Sequence, residues 1–528
     1  LLCYGKSRIN DIMDVVYVLC QRHHIGAENG QSFIKRIFVH NYLLGNITVL
    51  AHSSGIQPTL GGVIGYCYYS NVSNVVNGEQ DADDKGCLHV EAKVTCCAMG
   101  GIAGLLATVD IDTATNYGDV KFDKGADYPY VGAAFGTLFN STGTVKNVDN
   151  YGTLSVPNVA FSNGTPYFGG VIGRMANTKW TIDDCDNYAD LVIEANFSAI
   201  KSNNMSCIGA IIGGTEGGTV KNCDNYANLS VKGTFGKVSD ATNYGGSLYV
   251  GGIVGRMSDA SSVIENCHNG NIDAATPTSL SVDVEMGGLP YIAGIAGHFM
   301  GNSLKNCGNH ANITIKGKSG GYKDNKAPYS VPVFGGVIGY AKNSDLVVDN
   351  CDNLHNGDTE ANHIAMNITF TTAGHIVFGG CFGSLDAVKS AANCDNNCAV
   401  TANITLSATE GSATTLGGLA GKMGAKATSC TNGPLGDITI TGSAKANVGV
   451  SGLNCSTNAT ENCSNAGDIV MSVDQSAGGS AYINGLHWTG SGGAAHKNFT
   501  NSGNITYNGK CKVNVFMSGA GYTPTGTW

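Results

Sequence analysis

Cysteine, aspartate and tyrosine side chains recur at fixed places in this chain, and these residue types could do chemistry. Thiolates bind zinc and other soft metals, rows of carboxylates bind calcium, and aromatic rings line the sites of many ligands. Each of these rows lies beside an asparagine that returns every ~40 residues. Their chemistry therefore has to be judged from the spacing of the rows as well as from the residue types.

Eight cysteines occupy the same place in successive copies of the pattern. They are Cys185, Cys223, Cys267, Cys307, Cys351, Cys394, Cys430 and Cys463. A metal site needs ligands a few residues apart, whereas these thiols are separated by a whole repeat. Side chains in a parallel ladder point the same way, which suits stacking better than the bent geometry of a disulfide. We therefore expect a reduced, buried stack in which each thiol behaves as a small hydrophobe.

The other cysteines leave a second interpretation open. The chain has 19 cysteines, an odd number, so at least one thiol lacks a partner within the chain. Counting alone favours disulfides and an extracellular setting. Cys96 with Cys97, and Cys394 with Cys398, stand in irregular places and are the better candidates for a disulfide or a metal site.

The recurring asparagine, here called the ladder asparagine, is present in twelve copies. These are Asn77, Asn116, Asn150, Asn187, Asn225, Asn269, Asn309, Asn353, Asn396, Asn432, Asn465 and Asn501. In the best copies it ends an Asn-Cys-x-Asn box, as at 222–225 and 266–269. Asparagine tolerates left-handed backbone angles at a bend, and its amide can bond to the amide one coil away. We therefore predict a structural ladder.

Tyrosines follow the ladder asparagine in four copies, as Tyr117, Tyr151, Tyr188 and Tyr226. These four side chains predict either a patch that contacts glycans or a packed aromatic row. Aspartates precede the ladder asparagine in five copies, as Asp149, Asp186, Asp224, Asp352 and Asp395. Other residue types take that position elsewhere, and the nine-residue repeat of calcium-binding solenoids is absent. We expect the aspartates to serve turns, and we predict no metal or other cofactor.

A glycine-rich box precedes each ladder asparagine, and its clearest copy is Gly251-Gly252-Ile253-Val254-Gly255. A short segment of alternating apolar and polar residues follows the asparagine, as at 227–231 and 311–315. Alternation is the period of a half-buried strand, and no convincing helical stripe occurs in the repeats. The sequence therefore predicts an all-β fold, an elongated right-handed parallel β-solenoid (β-helix) of about twelve ~40-residue repeats.

The repeat pattern divides the chain into three parts. The solenoid array is expected over 61–510, with a C-terminal strand or cap over 511–528. Residues 1–60 do not fit the array, and apolar residues at 9–19 follow a helical spacing. We expect this segment to cap the first coil or to dock against another subunit.

Composition argues against several functional classes. The net charge is −10 and the basic residues are dispersed, so no basic stripe marks a nucleic-acid surface. No apolar run reaches the roughly 20 residues of a membrane span. The sequence also shows no catalytic pair of carboxylates, no Gly-x-Ser-x-Gly motif of hydrolases and no glycine-rich nucleotide-binding motif. We predict that the chain is not an enzyme.

The paired boxes resemble the GLUG motif, a short repeat of bacterial surface and adhesin-like proteins. The closest copy joins Gly251–Gly255 to Asn266-Cys267-His268-Asn269, and the resemblance covers 61–528. The chain departs from the motif in a longer, more variable second half, which leaves open one large coil or two small coils per repeat. The resemblance implies surface exposure and adhesion or scaffolding, and it implies no catalytic residues.

These observations lead to one expected function and one alternative. We expect an extracellular or cell-surface structural protein, either adhesin-like or a filament subunit that self-associates end to end. The alternative is a carbohydrate-binding or carbohydrate-cleaving β-helix, with host or extracellular glycans as partners. Candidate glycosylation sites are the sequons at Asn140, Asn228, Asn312 and Asn367 and, by similarity to a bacterial O-glycosylation acceptor, Thr113.

Overall fold

A computed structural model describes residues 37–41, 47–49 and most of 59–518. Within the last range the description omits 81–86, 91–93, 124–125, 140–141, 162–163, 177–178, 198–204, 236–245, 272–275, 320–330, 355–363, 373, 408–413, 456–458, 489–495 and 512–514. All regular secondary structure in the described residues is β-strand. None of these elements is a helix that is long and apolar enough to cross a bilayer.

Each repeat forms one coil with three strand regions. In one coil, Ser247–Gly251 belongs to sheet 1, then Val254–Met257, Val263–Glu265 and His268–Asn269 to sheet 2, and Ser279–Met286 to sheet 3. The chain then enters sheet 1 of the next coil. Every pairing between coils is parallel, because each strand meets its own copy one repeat later.

The bounds of the strands follow this order in all coils. Sheet 1 contains Thr59–Gly61, Val94–Gly100, Ala126–Gly132, Tyr167–Gly169, Met205–Gly209, Ser247–Gly251, Pro290–Ala293, Val333–Gly335, Val377–Gly379, Thr414–Gly417, Val448–Ser451, Ala481–Asn484 and Val515–Ser518. Sheet 3 contains Ile47–Val49, Cys87–Val90, Asp119–Phe122, Leu154–Ala160, Leu191–Phe197, Leu229–Phe235, Ser279–Met286, Asn312–Ser319, Ala365–Thr372, Ala399–Leu406, Ile438–Ala444, Ile469–Gln475, Ile505–Tyr507 and Lys510–Cys511.

Sheet 2 is the most divided of the three, because bends split most of its rows into two or three strands. It contains Ile37–Asn41, Ile64–Asn77, Ala103–Asn116, Phe135–Phe139, Gly143–Asn150, Ile172–Ala176, Trp180–Asn187, Ile212–Thr215, Thr219–Lys221, Asp224–Asn225, Val254–Met257, Val263–Glu265, His268–Asn269, Ala296–Phe299, Ser303–Asn309, Ile338–Ala341, Val347–Leu354, Phe382–Leu385, Ser390–Ala392, Asp395–Asn397, Ala420–Met423, Lys426–Thr428, Thr431–Asn432, Asn454–Cys455, Thr460–Glu461, Ser464–Asn465, His487–Trp488, His496–Lys497 and Thr500–Asn501.

The register confirms the predicted parallel solenoid of about twelve coils. Gly209 pairs with Gly251, and Asn225 pairs with Asn269, so equivalent residues of neighbouring repeats lie side by side. Sheet 1 has 13 strands, one for each row. One repeat therefore makes one coil, which settles the number of coils per repeat. The right-handed sense of the coil stays a prediction.

Two apolar cores run along the rod. Inward side chains of sheets 1 and 3, such as Val250 and Leu280, form the first core. The bent rows of sheet 2 enclose the second core, which includes Val254, Ile264 and Cys267. Alternation along the strands explains this burial, since every second side chain of Ser279–Met286 points inward.

A narrow waist between the glycine box and the ladder asparagine separates the two cores. A Cβ atom on Gly252 would overlap both the carboxamide of Asn269 and the carbonyl oxygen of Gly294 in the next coil. Only small residues fit, and the same position is Ala133 and Ala210 in two other coils. The glycine box and the asparagine box therefore recur together because they pack against each other.

The stacked sheets extend beyond the predicted array at its N-terminal side. Within 1–60, Ile37–Asn41 pairs with Ile64–Asn77, and Ile47–Val49 pairs with Cys87–Val90, both in parallel. Near the other end, Val515–Ser518 adds a last strand to sheet 1. The helix predicted at 9–19 lies outside the described residues.

Candidate functional site

The corner between sheets 2 and 3 carries every row that the sequence singled out, and the ladder asparagines form its inner line. Asn225 Nδ2 donates to Asn269 Oδ1 at 2.9 Å, and Asn269 Nδ2 donates to Asn309 Oδ1 at 2.8 Å. Equivalent bonds join all twelve ladder asparagines at 2.7 to 3.0 Å. In several coils the second amide hydrogen goes to the carbonyl two residues on, as from Asn225 to Ala227. The predicted ladder is confirmed.

The expectation that the ladder asparagine itself has left-handed backbone angles is wrong. The left-handed backbone lies three residues earlier, where the first asparagine of the box has a φ of 54° at Asn222 and 52° at Asn266. We call this residue the leading asparagine. Its amide also reaches the next coil, since Asn306 Nδ2 donates to Asn266 Oδ1 at 3.0 Å. The bend comes before the ladder because the chain must turn before it can aim the ladder amide inward.

The eight repeat cysteines line the second core. Each Sγ donates to the carbonyl oxygen two residues earlier, as from Cys223 to Lys221 at 3.0 Å and from Cys307 to Lys305 at 3.1 Å. Cys185 takes the place that Val148 holds in the coil before it. Burial raises the pKa of the Cys223 and Cys307 thiols well above the ordinary value. Cys223 and Cys307 are therefore packed as neutral apolar groups.

Of the other cysteine candidates, Cys394 and Cys398 do not pair with each other. Cys394 donates to Ala392 O at 3.0 Å, whereas Cys398 donates to Ile364 O at 3.4 Å, and both thiols are free and buried. Burial raises the pKa of Cys398 to about 12. Cys97 is buried, and the side chain of Cys96 lies outside the description. Among the described residues, no three histidine, cysteine or acidic side chains converge to hold a metal ion.

The four tyrosines form a stack along the outside of the corner, which we call the tyrosine column. Ring centroids are 5.2 Å apart from Tyr117 to Tyr151, 4.7 Å from Tyr151 to Tyr188 and 4.9 Å from Tyr188 to Tyr226. The interplanar angles are 17°, 9° and 14°, so the rings lie face to face. A sugar at this column would meet ring edges and hydroxyl groups, since neighbouring rings cover most of the faces. Glycan contact by these residues stays a prediction.

The aspartates stand beside the tyrosines in an aspartate column, and they bond to the coil that follows. The backbone N–H of Asp224 donates to Asp186 Oδ1 at 2.9 Å, and that of Asp395 donates to Asp352 Oδ1 at 2.9 Å. Tyr188 also donates its hydroxyl to Asp186 Oδ2 at 3.2 Å. Burial is the main cause that raises the pKa of Asp186 and of Asp352 to about 6.

The aspartate column is interrupted and the tyrosine column ends in the same part of the rod. The aspartate position becomes His268 and then Gly308, and the tyrosine position becomes Gly270 and then His310. A depression of about 410 Å³ opens there, with Gly308, His310 and Asp352 among its lining residues. The sequence shows this place as a change of residue type in both columns. Such a change does not tell whether neighbouring side chains fill the space that the missing aspartate and tyrosine side chains leave.

A second aromatic row, on the outer side of sheets 1 and 2, was missed by sequence reasoning. The Arg174 guanidinium lies 4.8 Å from the Tyr130 ring centroid and donates to Glu216 at 2.8 Å. Farther along the rod, the His298 ring lies 5.0 Å from that of Tyr249. Burial lowers the pKa of His298 to about 3. No fixed motif marks this row, because its members change type from coil to coil.

The candidate glycosylation residues differ in their surroundings. Asn367 is exposed, whereas Asn228 is exposed but bonded on both sides, to Asp190 and Ser279. Asn312 is half-buried, and its Oδ1 accepts the backbone N–H of Ala365 at 2.9 Å. Thr113 is exposed with a φ of 65°. Asn140 lies outside the described residues.

Comparison with known proteins adds no relative to this description. No family model, no curated protein and no solved structure matches the chain. Its architecture as a parallel β-solenoid with a stacked asparagine ladder therefore rests on the sequence pattern and the geometry above.

Proposed function

We propose that this chain is a structural protein of the extracellular space or the cell surface, adhesin-like or a fibre subunit that joins end to end. The observation that carries the proposal is the ladder of twelve asparagines, eleven of them buried, bonded amide to amide along the rod. Such a ladder gives each coil the same rigid link to the next. The proposed relation to GLUG-motif repeat proteins of bacterial surfaces agrees with this role.

End-to-end assembly is supported by the two unlike ends of a parallel stack. Val515–Ser518 is the last strand of sheet 1, and Ile37–Asn41 pairs with the first full row of sheet 2. An edge strand presents unpaired N–H and C=O groups that can pair with another copy. A head-to-tail contact of this kind is heterologous, so it propagates into a filament.

An extracellular setting is compatible with the many thiols, because they are shielded. Of the described cysteines, fourteen are buried and Cys511 is half-buried. Burial raises the pKa of Cys455 to about 11 and that of Cys207 to about 12, so the reactive thiolate is scarce at neutral pH. The proposal assigns the chain no catalytic activity and no cofactor.

Electron microscopy and sedimentation of the purified full chain test the assembly. Thirteen rows at about 4.8 Å each give a rod of roughly 60 Å. We expect fibres that lengthen with protein concentration and repeat along their axis at that distance. Dispersed single particles at every concentration and pH would contradict the filament form of the proposal.

The second candidate function is carbohydrate binding, and the tyrosine column favours it. Tyr188 is the most exposed ring of the stack, with 40 % of its surface exposed, and its hydroxyl bonds to Asp186. A glycan array with a reducing-end assay distinguishes binding from cleavage. Binding without new reducing ends would support a lectin-like surface. The absence of both binding and new reducing ends would contradict this candidate.

A further inference from the structure

A polar pocket opens where the aspartate column lacks a side chain. Asp224, His268, Gly308 and Asp352 hold equivalent places in four successive coils. His268 Nδ1 lies 3.0 Å from Asp224 Oδ1 in the preceding coil, whereas Asp352 accepts from Asp395 in the following coil. Each of the two neighbours of Gly308 therefore bonds to the coil on its far side, although the His268 ring still stacks on that of His310 at 5.8 Å. The His310 ring takes up part of the space beside Gly308, and the depression of about 410 Å³ opens next to that ring.

His310 supplies a hydrogen-bond acceptor at the side of this gap. The residue is only 6 % exposed, and its ring leans over the neighbouring glycine, since a Cβ atom on Gly308 would lie 2.8 Å from Nε2. The other nitrogen, Nδ1, lies 3.3 Å from the carbonyl oxygen of Leu354 and must carry the proton of that contact. Burial lowers the pKa of His310 to about 4, so Nε2 is an unprotonated acceptor at neutral pH.

The remaining lining completes a mixed polar and apolar surface. The carboxylate of Asp352 offers further acceptor sites. The leading asparagines Asn306 and Asn350 each donate one amide hydrogen to the preceding coil, and each brings its second amide hydrogen to the pocket wall. Leu354 and the face of the His310 ring are the apolar parts of the wall. Acceptors, donors and an apolar patch within one coil height match a small ring that carries several hydroxyl groups.

We propose that the pocket at Gly308 binds one sugar residue of a glycan. A volume of about 410 Å³ is near the lower end of ligand pockets, so it suits a single ring and an open approach for the rest of the chain. Single contacts of this size are weak, and several rods side by side would raise the affinity through avidity. The sugar-binding proposal rests on the adhesin-like form of the proposed function and names its ligand class. Its test does not depend on whether the chain forms fibres.

A metal ion is the competing ligand class, and the geometry disfavours it. His268 and His310 lie with their ring centroids 5.8 Å apart at an interplanar angle of 28°. Nearly parallel rings present their nitrogen atoms along parallel directions rather than toward one point. A transition metal needs ligands that converge at about 2 Å, and a convergent group of three does not occur among the described residues.

Saturation-transfer NMR on the full chain tests the proposal with methyl glycosides of glucose, galactose, mannose, fucose, N-acetylglucosamine and N-acetylgalactosamine. We expect at least one glycoside to receive saturation, with the signal lost in Gly308→Asp, because a side chain at 308 would displace the His310 ring and place a carboxylate in the depression. Ser464→Asp is the matched control, since it adds the same side chain to the same column in a coil with uncharged neighbours, Thr431 and Thr500. That variant should bind like the original chain.

Two more variants locate the contact. His310→Leu keeps the bulk but removes the acceptor, so it should weaken binding at least tenfold even if Gly308→Asp fails to fold. Tyr188→Ala changes the tyrosine column and should leave binding unchanged. No saturation of any glycoside, or full binding by both pocket variants, would overturn the proposal. Loss of binding in Tyr188→Ala alone would overturn it in favour of the tyrosine column.

Discussion

The inner and outer sides of the same corner obey different rules. Along the inside, the ladder asparagine is identical in twelve coils, and its amides are bonded to one another. The very next residue, in the tyrosine column, changes from Tyr226 to Gly270, His310 and Leu354 in successive coils. The inner position is restricted because an unpaired buried amide costs stability in every coil. The outer position can vary, so a binding site can arise there without breaking the rod.

Breaking the inner ladder should produce the largest loss of stability. Asn269→Ala removes the partner of both Asn225 and Asn309, and it leaves a buried donor and a buried acceptor unpaired. We expect a loss of about 4 kcal/mol in the free energy of unfolding, measured by urea denaturation.

The matched control lies in the same box. Asn266→Gly removes a leading asparagine, which bonds the next coil near the surface, and glycine accepts its φ of 52° without strain. Its loss should stay below about 1 kcal/mol. Equal losses in the two variants would contradict the distinction between inner and outer rows.

Filling the waist should come next. Gly252→Val places branched carbon atoms against Asn269 and against the backbone of Gly294, so we expect a loss of about 3 kcal/mol. Gly252→Ala should lose less, about 1 kcal/mol, because the backbone shift that its Cβ atom requires at Gly294 is accommodated in the coils that carry Ala133 and Ala210. Thermal unfolding of both variants measures the difference, and an equally tolerated valine would show that the waist is not tightly packed.

Shortening an outer side chain should cost less. Tyr188→Ala removes two ring contacts, at 4.7 Å with Tyr151 and at 4.9 Å with Tyr226, for an expected loss of about 2 kcal/mol. Tyr188→Phe keeps the stack and loses only the bond to Asp186, so about 0.5 kcal/mol is expected. Urea midpoints of the two variants decide whether the stack or the hydroxyl matters more.

The smallest effect should depend on pH. The pKa of Asp186 is raised to about 6 in the folded chain, chiefly by burial, whereas an unfolded aspartate titrates near 3.9. Its contribution to stability is therefore present below pH 4 and is lost as the pH rises through 6. Asp186→Asn keeps an acceptor for the N–H of Asp224 without the charge. After allowance for solvent screening, the variant should gain about 1 kcal/mol at pH 7.5 and almost nothing at pH 4.

Denaturation at the two pH values measures this gain. A gain for Asp186→Asn that is the same at pH 4 and pH 7.5 would mean that the carboxyl group of Asp186 does not titrate between them.

The sequence predicted the regular parts of the fold because stacking forces equivalent residues into contact. Strand alternation, the parallel register and the asparagine ladder all repeat, so twelve copies strengthen a signal that is weak in each one. The left-handed backbone was predicted at the ladder asparagine, Asn225, but it lies at the other end of the box, at Asn222. Both asparagines recur in the repeat, so the pattern alone did not tell them apart.

Features that do not repeat could not be predicted. The pocket depends on how His268, His310 and Asp352 are arranged around Gly308, and the two histidines and the glycine each occur at their position in one coil only. The row of Arg174, Tyr249 and His298 is similar, because its contacts join different residue types across neighbouring coils. Periodicity reports the average coil, whereas a site is a departure from that average.

A cryo-EM map of the purified full chain tests the central claim most directly. The account predicts one coil per repeat, parallel strands about 4.8 Å apart and a continuous line of twelve asparagine side chains at the waist. It also predicts a cross-section with two cores, one between sheets 1 and 3 and one inside sheet 2. Two coils per repeat, or asparagine side chains turned out to solvent, would contradict it.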